Sequence, residues 1–258
     1  MDLGLEGKVC VVTGASRGIG LAVADKLSAE GAQVLLVARD EEAIERAATE
    51  VAGEFLACDV TDPDADRLII ATCAEQMGGI DVLVNNAGTS RAVALDDLTD
   101  EDFEEQWQLH VMAPFRLMSE AAPRMAARGG GRIVNVSSSS GKRPGQRNVA
   151  YSVTKAAQLS LSRAFADRWA GENVLVNAVT PGPVASELWT GPGGLGEQIA
   201  GEGKAQEAIA AAAEKVPLGR FGEPEEIADV IAFLCSARAS NVTGAAWSAD
   251  GGAVPVII

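Results

Sequence analysis

The chain has 258 residues, of which 47% are hydrophobic and 22% are charged, and its formal net charge at pH 7 is −15. This composition is typical of a globular protein with a large core, and the length suits one α/β domain. The strong negative charge argues against nucleic acid and anionic membrane surfaces as partners, because phosphate binding needs a concentrated basic face.

The four cysteines are scattered, with neither a C-x-x-C pair nor metal-ligand spacing, so we expect no disulfide framework and no metal site. The first residues lack a basic segment followed by a long apolar run, and no apolar span reaches about 18 residues. We therefore expect no signal peptide, no transmembrane segment and a cytoplasmic location, where thiols stay reduced.

Short apolar runs alternate with longer amphipathic segments, a pattern typical of βαβ units. The predicted strands are residues 8–12, 33–37, 54–58, 81–84, 132–137, 173–179 and 245–249. The predicted helices are residues 18–30, 40–52, 63–77, 100–128, 151–170, 203–214 and 224–236. Apolar residues follow one another along the strands, as expected when helices cover both faces of a sheet. We predict an α/β fold, with seven parallel strands in a single domain over residues 1–258.

A glycine-rich stretch, VTGASRGIG at residues 12–20, follows the first predicted strand and opens the first helix. Gly14 allows a tight turn, while Gly18 and Gly20 let the backbone approach a ligand. The N-terminus of the helix offers unpaired N–H groups and a positive dipole end, which suit a pyrophosphate. The stretch therefore predicts a dinucleotide-binding turn.

The end of the second predicted strand indicates which dinucleotide is bound. Dinucleotide folds often place an acidic residue there for the ribose 2′-hydroxyl. This chain has Ala38, followed by Arg39, and Arg17 lies in the glycine turn. Two guanidinium groups suit a 2′-phosphate, so the sequence predicts NADP(H) over NAD(H). Asp40 opposes this prediction, because its carboxylate would repel the phosphate if it turned inward.

The stretch from 137 to 157 carries the predicted proton chemistry. Tyr151 is the only tyrosine, and Lys155 follows four residues later on the same helical face. The pKa of a free tyrosine is about 10, and an adjacent ammonium is expected to lower it by stabilising the phenolate. Ser138 lies thirteen residues before Tyr151, at the end of a predicted strand, where it can hydrogen-bond a substrate carbonyl.

These motifs, with NNAG at 85–88 and NAVTPGPVAS at 177–186, together resemble a single-domain short-chain dehydrogenase/reductase over essentially the whole chain. The resemblance implies a doubly wound Rossmann-type fold and hydride transfer between a nicotinamide and a carbonyl or secondary alcohol, with Tyr151 as general acid/base. A 3-oxoacyl-carrier-protein reductase is the alternative function. A non-catalytic dinucleotide-binding regulator is the alternative of another class.

The resemblance also implies roles for particular residues. Ser138 would orient the carbonyl, and Lys155 would lower the tyrosine pKa and hold the nicotinamide ribose. Asp59 would meet the adenine ring, and residues 181–184 the nicotinamide carboxamide. The implied cofactor-binding residues are Gly14, Ser16, Arg17, Gly18, Ile19, Gly20, Arg39, Asp59, Val60, Asn86, Ala87, Gly88, Tyr151, Lys155, Pro181, Gly182, Val184 and Ser186.

His110 is the only histidine, and it stands where the family commonly has an asparagine that bends the helix. The main-chain carbonyl of that asparagine holds a water linked to the lysine. Three accounts are open for His110: it is a neutral spacer, it joins the proton relay, or it disrupts the relay. Burial and the Lys155 charge are expected to lower the histidine pKa and keep the ring neutral.

The glycine-rich segment 182–203, extended to a substrate lid over 182–214, predicts a partly apolar small-molecule substrate. Its apolar side chains include Leu188, Trp189, Leu195 and Ile199. An acidic carrier protein is disfavoured by the acidic surface and by Glu172, which stands where carrier-protein reductases tend to have a basic residue. The resemblance further implies a homotetramer built through helices 100–128 and 151–170.

Overall fold

The computed structural model describes residues 1–255, and these form one parallel sheet with the strand order β3-β2-β1-β4-β5-β6-β7. The strands are β1 Val9–Thr13, β2 Gln33–Ala38, β3 Glu54–Ala57, β4 Val82–Asn85, β5 Gly131–Val136, β6 Val174–Pro181 and β7 Ala246–Ala249. Each predicted strand is confirmed to within a few residues. The order reverses between β1 and β4, which creates the crevice where doubly wound sheets bind ligands.

Helices cover both faces of the sheet, as the unbroken apolar strands require. They are α1 Gly18–Ala29, α2 Glu41–Val51, α3 Ala65–Met77, α4 Asp100–Trp107, α5 Ala113–Ala127, α6 Val149–Trp169, α7 Glu187–Thr190, α8 Leu195–Ala200, α9 Ala205–Ala213 and α10 Pro224–Cys235. One core lies under α1, α2 and α10, and a second lies under α3, α5 and α6. The predicted doubly wound fold is confirmed. None of the described helices is long and apolar enough to cross a membrane.

The single helix predicted over 100–128 is wrong in one respect, because a π-helical turn, Gln108–Met112, separates α4 from α5. We call this segment the π-turn. Pro114, in the first turn of α5, has no N–H to pair with the carbonyl of His110 four residues earlier. The Ala113 N–H instead donates to the carbonyl of Gln108, five residues back. The π-turn therefore places His110 at an irregular point of the helix.

The carboxyl edge of the sheet gathers the predicted motifs. The glycine turn follows β1, NNAG follows β4, Ser138 follows β5, and Gly182 follows β6. Parallel strands bring these four connections to one edge. The lid segment continues from β6 and contains α7, α8 and α9, so it is largely helical.

Candidate active site

The glycine turn after β1 has the shape that a dinucleotide needs. Gly14 and Gly18 have positive φ angles of 65° and 56°, which favour glycine. A Cβ atom on Gly20 would collide with the carbonyl oxygen of Gly14. No side chain caps the start of α1, where Arg17 is the extended N-cap residue. The first N–H groups of this helix are therefore available to a pyrophosphate, and the turn fits the predicted cofactor.

The NNAG segment after β4 braces this turn from the neighbouring strand. The Asn86 side-chain amide donates to the carbonyls of Thr13 and Gly14, at 2.9 and 3.1 Å. The Thr13 hydroxyl accepts from the main-chain N–H groups of Asn86 and Ala87, at 3.0 and 3.1 Å. Gly88 is exposed one residue further on. Thr13 thus supports the glycine turn, a role that the sequence motif did not reveal.

The corner after β2 holds the first of the predicted phosphate-binding arginines. The Arg39 guanidinium lies 3.7 Å from a carboxylate oxygen of Asp59. Partial burial opposes ionisation of Asp59, but hydrogen bonds from the Thr61 N–H and hydroxyl, together with Arg39, outweigh it and lower the Asp59 pKa. Asp40 does not turn inward, because its carboxylate accepts from the Ala43 N–H, at 3.0 Å, as the N-cap of α2.

The second predicted phosphate-binding arginine, Arg17, forms an ion pair with Glu187, the first residue of α7, at 2.6 Å. Both side chains are more than half exposed, at 69% and 54%. The start of the lid also lies over the glycine turn, since a Cβ on Gly18 would lie 3.4 Å from the Cβ of Ser186. The ion pair therefore joins the lid to the glycine turn, and its exposure limits its strength to roughly 0–1 kcal/mol.

The remaining predicted cofactor residues lie at the same carboxyl edge of the sheet. Gly182 donates its N–H to the Ala249 carbonyl at 3.2 Å, so β7 fixes the segment predicted to hold the carboxamide. A Cβ on Gly182 would lie 2.9 Å from the Cα of Asp250. Pro181, Val184 and Val60 are buried, whereas Ser16 and Ile19 are partly exposed.

Three polar side chains meet beyond β5, where Ser138 follows the strand and Tyr151 lies in the first turn of α6. The Ser138 side chain lies close enough to Tyr151 to influence the tyrosine pKa, and its hydroxyl accepts from the Ser140 N–H at 3.1 Å. Lys155 is buried one turn later, with Nζ 5.8 Å from the Tyr151 ring centroid. The neighbouring Ser137 has a different task, because its hydroxyl donates to the Lys155 carbonyl at 2.9 Å. The structure thus brings the predicted serine, tyrosine and lysine together and distinguishes Ser138 from Ser137.

The ionisation of this cluster differs from the sequence expectation. Burial raises the pKa of Tyr151, and the nearby Ser138 side chain opposes this only in part. Burial also lowers the pKa of Lys155 to about 7. The expected lowering of the tyrosine pKa by Lys155 is not found, because desolvation dominates. The ammonium donates instead to the Val136 carbonyl and to Oε1 of Gln158, at 2.8 and 3.3 Å.

Comparisons with known proteins agree with this geometry. A family model described as enoyl-(acyl carrier protein) reductase matches residues 14–254. A 3-oxoacyl-(acyl-carrier-protein) reductase of Aquifex aeolicus is 34% identical over 258 residues, covering 98% of this chain and 99% of the relative. D-threitol dehydrogenase of Mycolicibacterium smegmatis is 33% identical over 260 residues, covering 97% and 94%. A crystal structure of L-sorbose reductase from Gluconobacter frateurii, complexed with NADPH and L-sorbose, matches with a TM-score of 0.93 and 34% identity over 100% of both chains.

The chain belongs to the short-chain dehydrogenase/reductase family. The predicted family, fold and enzyme class are therefore confirmed, and the protein is an oxidoreductase of alcohol and carbonyl groups.

His110 is fully buried in this short-chain dehydrogenase/reductase, and both ring nitrogens have partners. Nε2 accepts from the Thr89 N–H at 3.3 Å, so Nδ1 carries the proton and donates to the Thr154 hydroxyl at 3.0 Å. Thr154 in turn donates to the Tyr151 carbonyl at 3.0 Å. Burial first, and Lys155 second, lower the His110 pKa well below 6.5. These contacts and the lowered pKa agree with the predicted neutral ring, which packs edge-on against Tyr151 at 5.3 Å between ring centroids.

A small pocket lies beside Tyr151, between α4 and the start of α6, and its lining mixes apolar and polar side chains. Val93 and Leu98 supply apolar surface, while Arg91, Asp102 and Asn148 supply charge and hydrogen-bonding groups. Gln106 also lines this pocket. It is buried, and neither polar atom of its amide has a partner among the described residues.

One polar contact joins the lid to the segment beside this pocket. The Ala92 N–H, after β4, donates to the Gln198 side chain of α8 at 2.7 Å. Part of the lid's apolar surface packs within the protein. Trp189 contacts Phe221 edge-on, with 5.0 Å between ring centroids, and Leu195 is buried. Ile199 is 36% exposed. The lid therefore offers less apolar surface to a substrate than its sequence predicts.

Several supporting residues escaped the sequence motifs, namely Thr89, Thr154, Gln158, Glu187 and Gln106. Thr154 and Gln158 carried a usable signal, since they lie three residues after Tyr151 and Lys155 on one helix. Glu187 carried no such signal, because it contacts a residue 170 positions away.

Proposed function

We propose that this enzyme transfers a hydride between NADP(H) and a carbonyl or secondary alcohol of a small substrate, with Tyr151 as general acid/base. The observation that carries the proposal is the cluster of Ser138, Tyr151 and Lys155 at the same sheet edge as the glycine turn. Bound nicotinamide supplies the hydride, while the chain supplies orientation and the proton.

Each member of the cluster has a separate task in the proposed reduction. Ser138 hydrogen-bonds the substrate oxygen and fixes it near Tyr151. Tyr151 donates its hydroxyl proton to that oxygen as negative charge develops there, and takes the proton back in the oxidation direction. When Lys155 is protonated, its positive charge beside the phenolate offsets part of the burial that raises the Tyr151 pKa.

His110 is proposed to act as a neutral spacer that leaves its own carbonyl available. Its ring nitrogens are both engaged, and its pKa is lowered well below 6.5 by burial and by Lys155, so proton transfer through the imidazole is disfavoured. Pro114 cannot donate to the His110 carbonyl, which can therefore hold a water that links Lys155 to solvent. This account favours a working relay over a disrupted one.

The preference for NADP(H) is part of the proposal. Arg17 and Arg39 supply guanidinium groups near the ribose corner, and Asp40 is engaged as a helix cap. Exposed ion pairs with Glu187 and Asp59 are weak enough for a phosphate to displace. The matching L-sorbose reductase structure contains NADPH, which agrees with this assignment.

The substrate proposed is a small hydroxylated ketone or the corresponding alcohol. The pocket beside Tyr151 combines apolar side chains with the Gln106 amide and Asn148. Two of the relatives are named for D-threitol and L-sorbose, both of which are small and hydroxylated. Hydrogen-bonding groups in a small pocket select substrates of that kind.

A 3-oxoacyl-carrier-protein reductase is the second candidate, favoured by the Aquifex aeolicus relative. The surface charge opposes it, because a net charge of −15 repels an acidic carrier protein. Glu172 adds to the negative surface, although it pairs with Arg168 at 2.8 Å.

A substrate panel with both cofactors tests the proposal. Purified protein is assayed with hydroxylated ketones, simple ketones, and a 3-oxoacyl thioester presented on a carrier protein or on a short thiol. We expect NADPH-dependent turnover with highest kcat/KM for a hydroxylated ketone. Preference for the carrier-bound thioester would select the second candidate, and cofactor binding without any turnover would favour a regulator.

A homotetramer formed through the 100–128 and 151–170 regions is proposed as the assembly. Large apolar side chains on these helices, Trp107, Phe115 and Val153, are 38%, 42% and 44% exposed and suit a covered surface. Light scattering that gives a monomer would contradict this assembly. The cytoplasmic location stays a prediction.

A further inference from the structure

Gln158 is a buried glutamine one turn beyond Lys155 on α6, and it is 1% exposed. Its Oε1 accepts a hydrogen bond from the Lys155 ammonium at 3.3 Å. Its Nε2 is buried and has no partner among residues 1–255. The amide end of this side chain is therefore used for one contact, the contact with Lys155.

A buried amide with an unpaired N–H group lowers the stability of the folded state. An apolar side chain of similar size would fill the same volume without that penalty. A local loss of stability without a packing gain is typical of functional positions. The unpaired Nε2 of Gln158 therefore indicates that its oxygen is needed where it is.

The surroundings of Lys155 show why an oxygen is useful there. The titratable groups that face the ammonium are Tyr151 on its own helix and His110 on the π-turn. Neither group carries a negative charge at neutral pH, and burial is the cause that lowers the Lys155 pKa. Within the described chain, the acceptors for the ammonium are two uncharged oxygens, one from the Val136 carbonyl and one from Gln158.

We propose that Gln158 is a positioning residue that keeps the Lys155 ammonium charged and in place, so that Tyr151 can release and regain its proton. This inference rests on the proposed function of Tyr151. An amide oxygen stabilises the charged form of Lys155 without cancelling its charge, whereas a carboxylate at this position would cancel its effect on the tyrosine. The identity of the residue as glutamine is therefore part of the inference.

The pH dependence of the Lys155 ammonium makes a direct test possible. Because burial lowers the pKa of Lys155 to about 7, an NMR pH titration of the lysine side chains of the purified protein can follow this ammonium without any substrate. Gln158→Met and Gln158→Leu both remove the oxygen but differ in shape. In both we expect the Lys155 titration midpoint to fall by about one pH unit, which is tenfold less ammonium at a given pH above the midpoint.

Ser162→Ala is the matched control. Ser162 lies one turn further along the same buried face of α6, and its hydroxyl also has no partner among the described residues. We expect its titration midpoint to equal that of the wild type. A packing disturbance would instead shift the control as well, or shift the Met and Leu variants by different amounts, and either outcome would overturn the inference.

An unchanged midpoint in a Gln158→Met protein that circular dichroism shows to be folded would also overturn the inference. If Gln158→Met does not fold, Gln158→Leu provides the same measurement. The pH profile of kcat/KM separates this inference from the proposed function. If Tyr151→Phe abolishes turnover but Gln158→Met leaves the profile unchanged, the inference fails and the function stands.

Discussion

Two regions hold their charged and polar side chains in opposite ways. We call them the proton site, around Tyr151, Lys155 and His110, and the ribose corner, around Arg17 and Arg39. At the proton site Lys155 and His110 are buried, and each polar atom of His110 has a defined partner. At the ribose corner Arg17 and Arg39 are 69% and 79% exposed and contact carboxylates through weakly held ion pairs. Buried polar contacts are costly to lose, whereas exposed ion pairs exchange easily. Substitutions should therefore have large effects at the first site and graded effects at the second.

The largest effect is expected for Tyr151→Phe. Loss of the proposed general acid/base should lower kcat by about 10²–10⁴-fold, while the dissociation constant for NADPH stays within about twofold. Turnover assays and fluorescence titration with NADPH measure the two quantities. Near-wild-type turnover would show that the buried cluster is not the proton donor.

Arg17→Ala and Arg39→Ala test the ribose corner. Each should raise the KM for NADPH by roughly tenfold, which corresponds to about 1.4 kcal/mol, because each removes a guanidinium that is proposed to contact the 2′-phosphate. The KM for NADH should change little, since NADH lacks that phosphate. Arg67→Ala is the control, because Arg67 is an exposed arginine on α3 paired with Asp64. Equal losses with both cofactors would contradict the assignment.

The burial of His110 can be tested through the pH dependence of the free energy of unfolding. Its folded-state pKa is depressed, so below pH 6.5 the unfolded chain binds a proton that the folded chain does not. The free energy of unfolding therefore decreases as pH falls below 6.5, by up to about 1.4 kcal/mol per pH unit. Urea unfolding at pH 6.5 and 5.5 should show a loss that is about 1 kcal/mol smaller in His110→Asn. Identical losses would mean that the folded ring titrates normally.

The smallest effect is expected for Glu187→Gln, which frees Arg17 from its ion pair. The KM for NADPH should fall by about two- to fivefold, in line with the 0–1 kcal/mol of an exposed pair. The gain should disappear at high ionic strength, because salt screens both the pair and the phosphate contact. A gain that persists with NADH would indicate that lid opening, rather than Arg17, is responsible.

The sequence predicted the sheet well because its strands are continuous apolar runs bounded by turns, and their parallel order follows from the intervening helices. It also predicted that Ser138, Tyr151 and Lys155 lie together, because helical spacing and strand ends place side chains reliably. The direction of the Tyr151 pKa shift could not be predicted, since it depends on how much solvent the folded chain excludes. The π-turn was missed although Pro114 stands four residues after His110, where it removes a helical hydrogen bond.

The π-turn also restricts how the length of this segment can vary. A π-helical turn contains one residue more than the α-helix needs, which shifts the phase of the following helix by about 100°. With that shift, His110 and the α5 residues Leu117 and Met118 all face the interior. Deleting one residue from Gln108–Met112 would rotate either His110 or the core face of α5 away from the protein interior. We therefore expect single-residue deletions here to be tolerated far less than deletions in the lid.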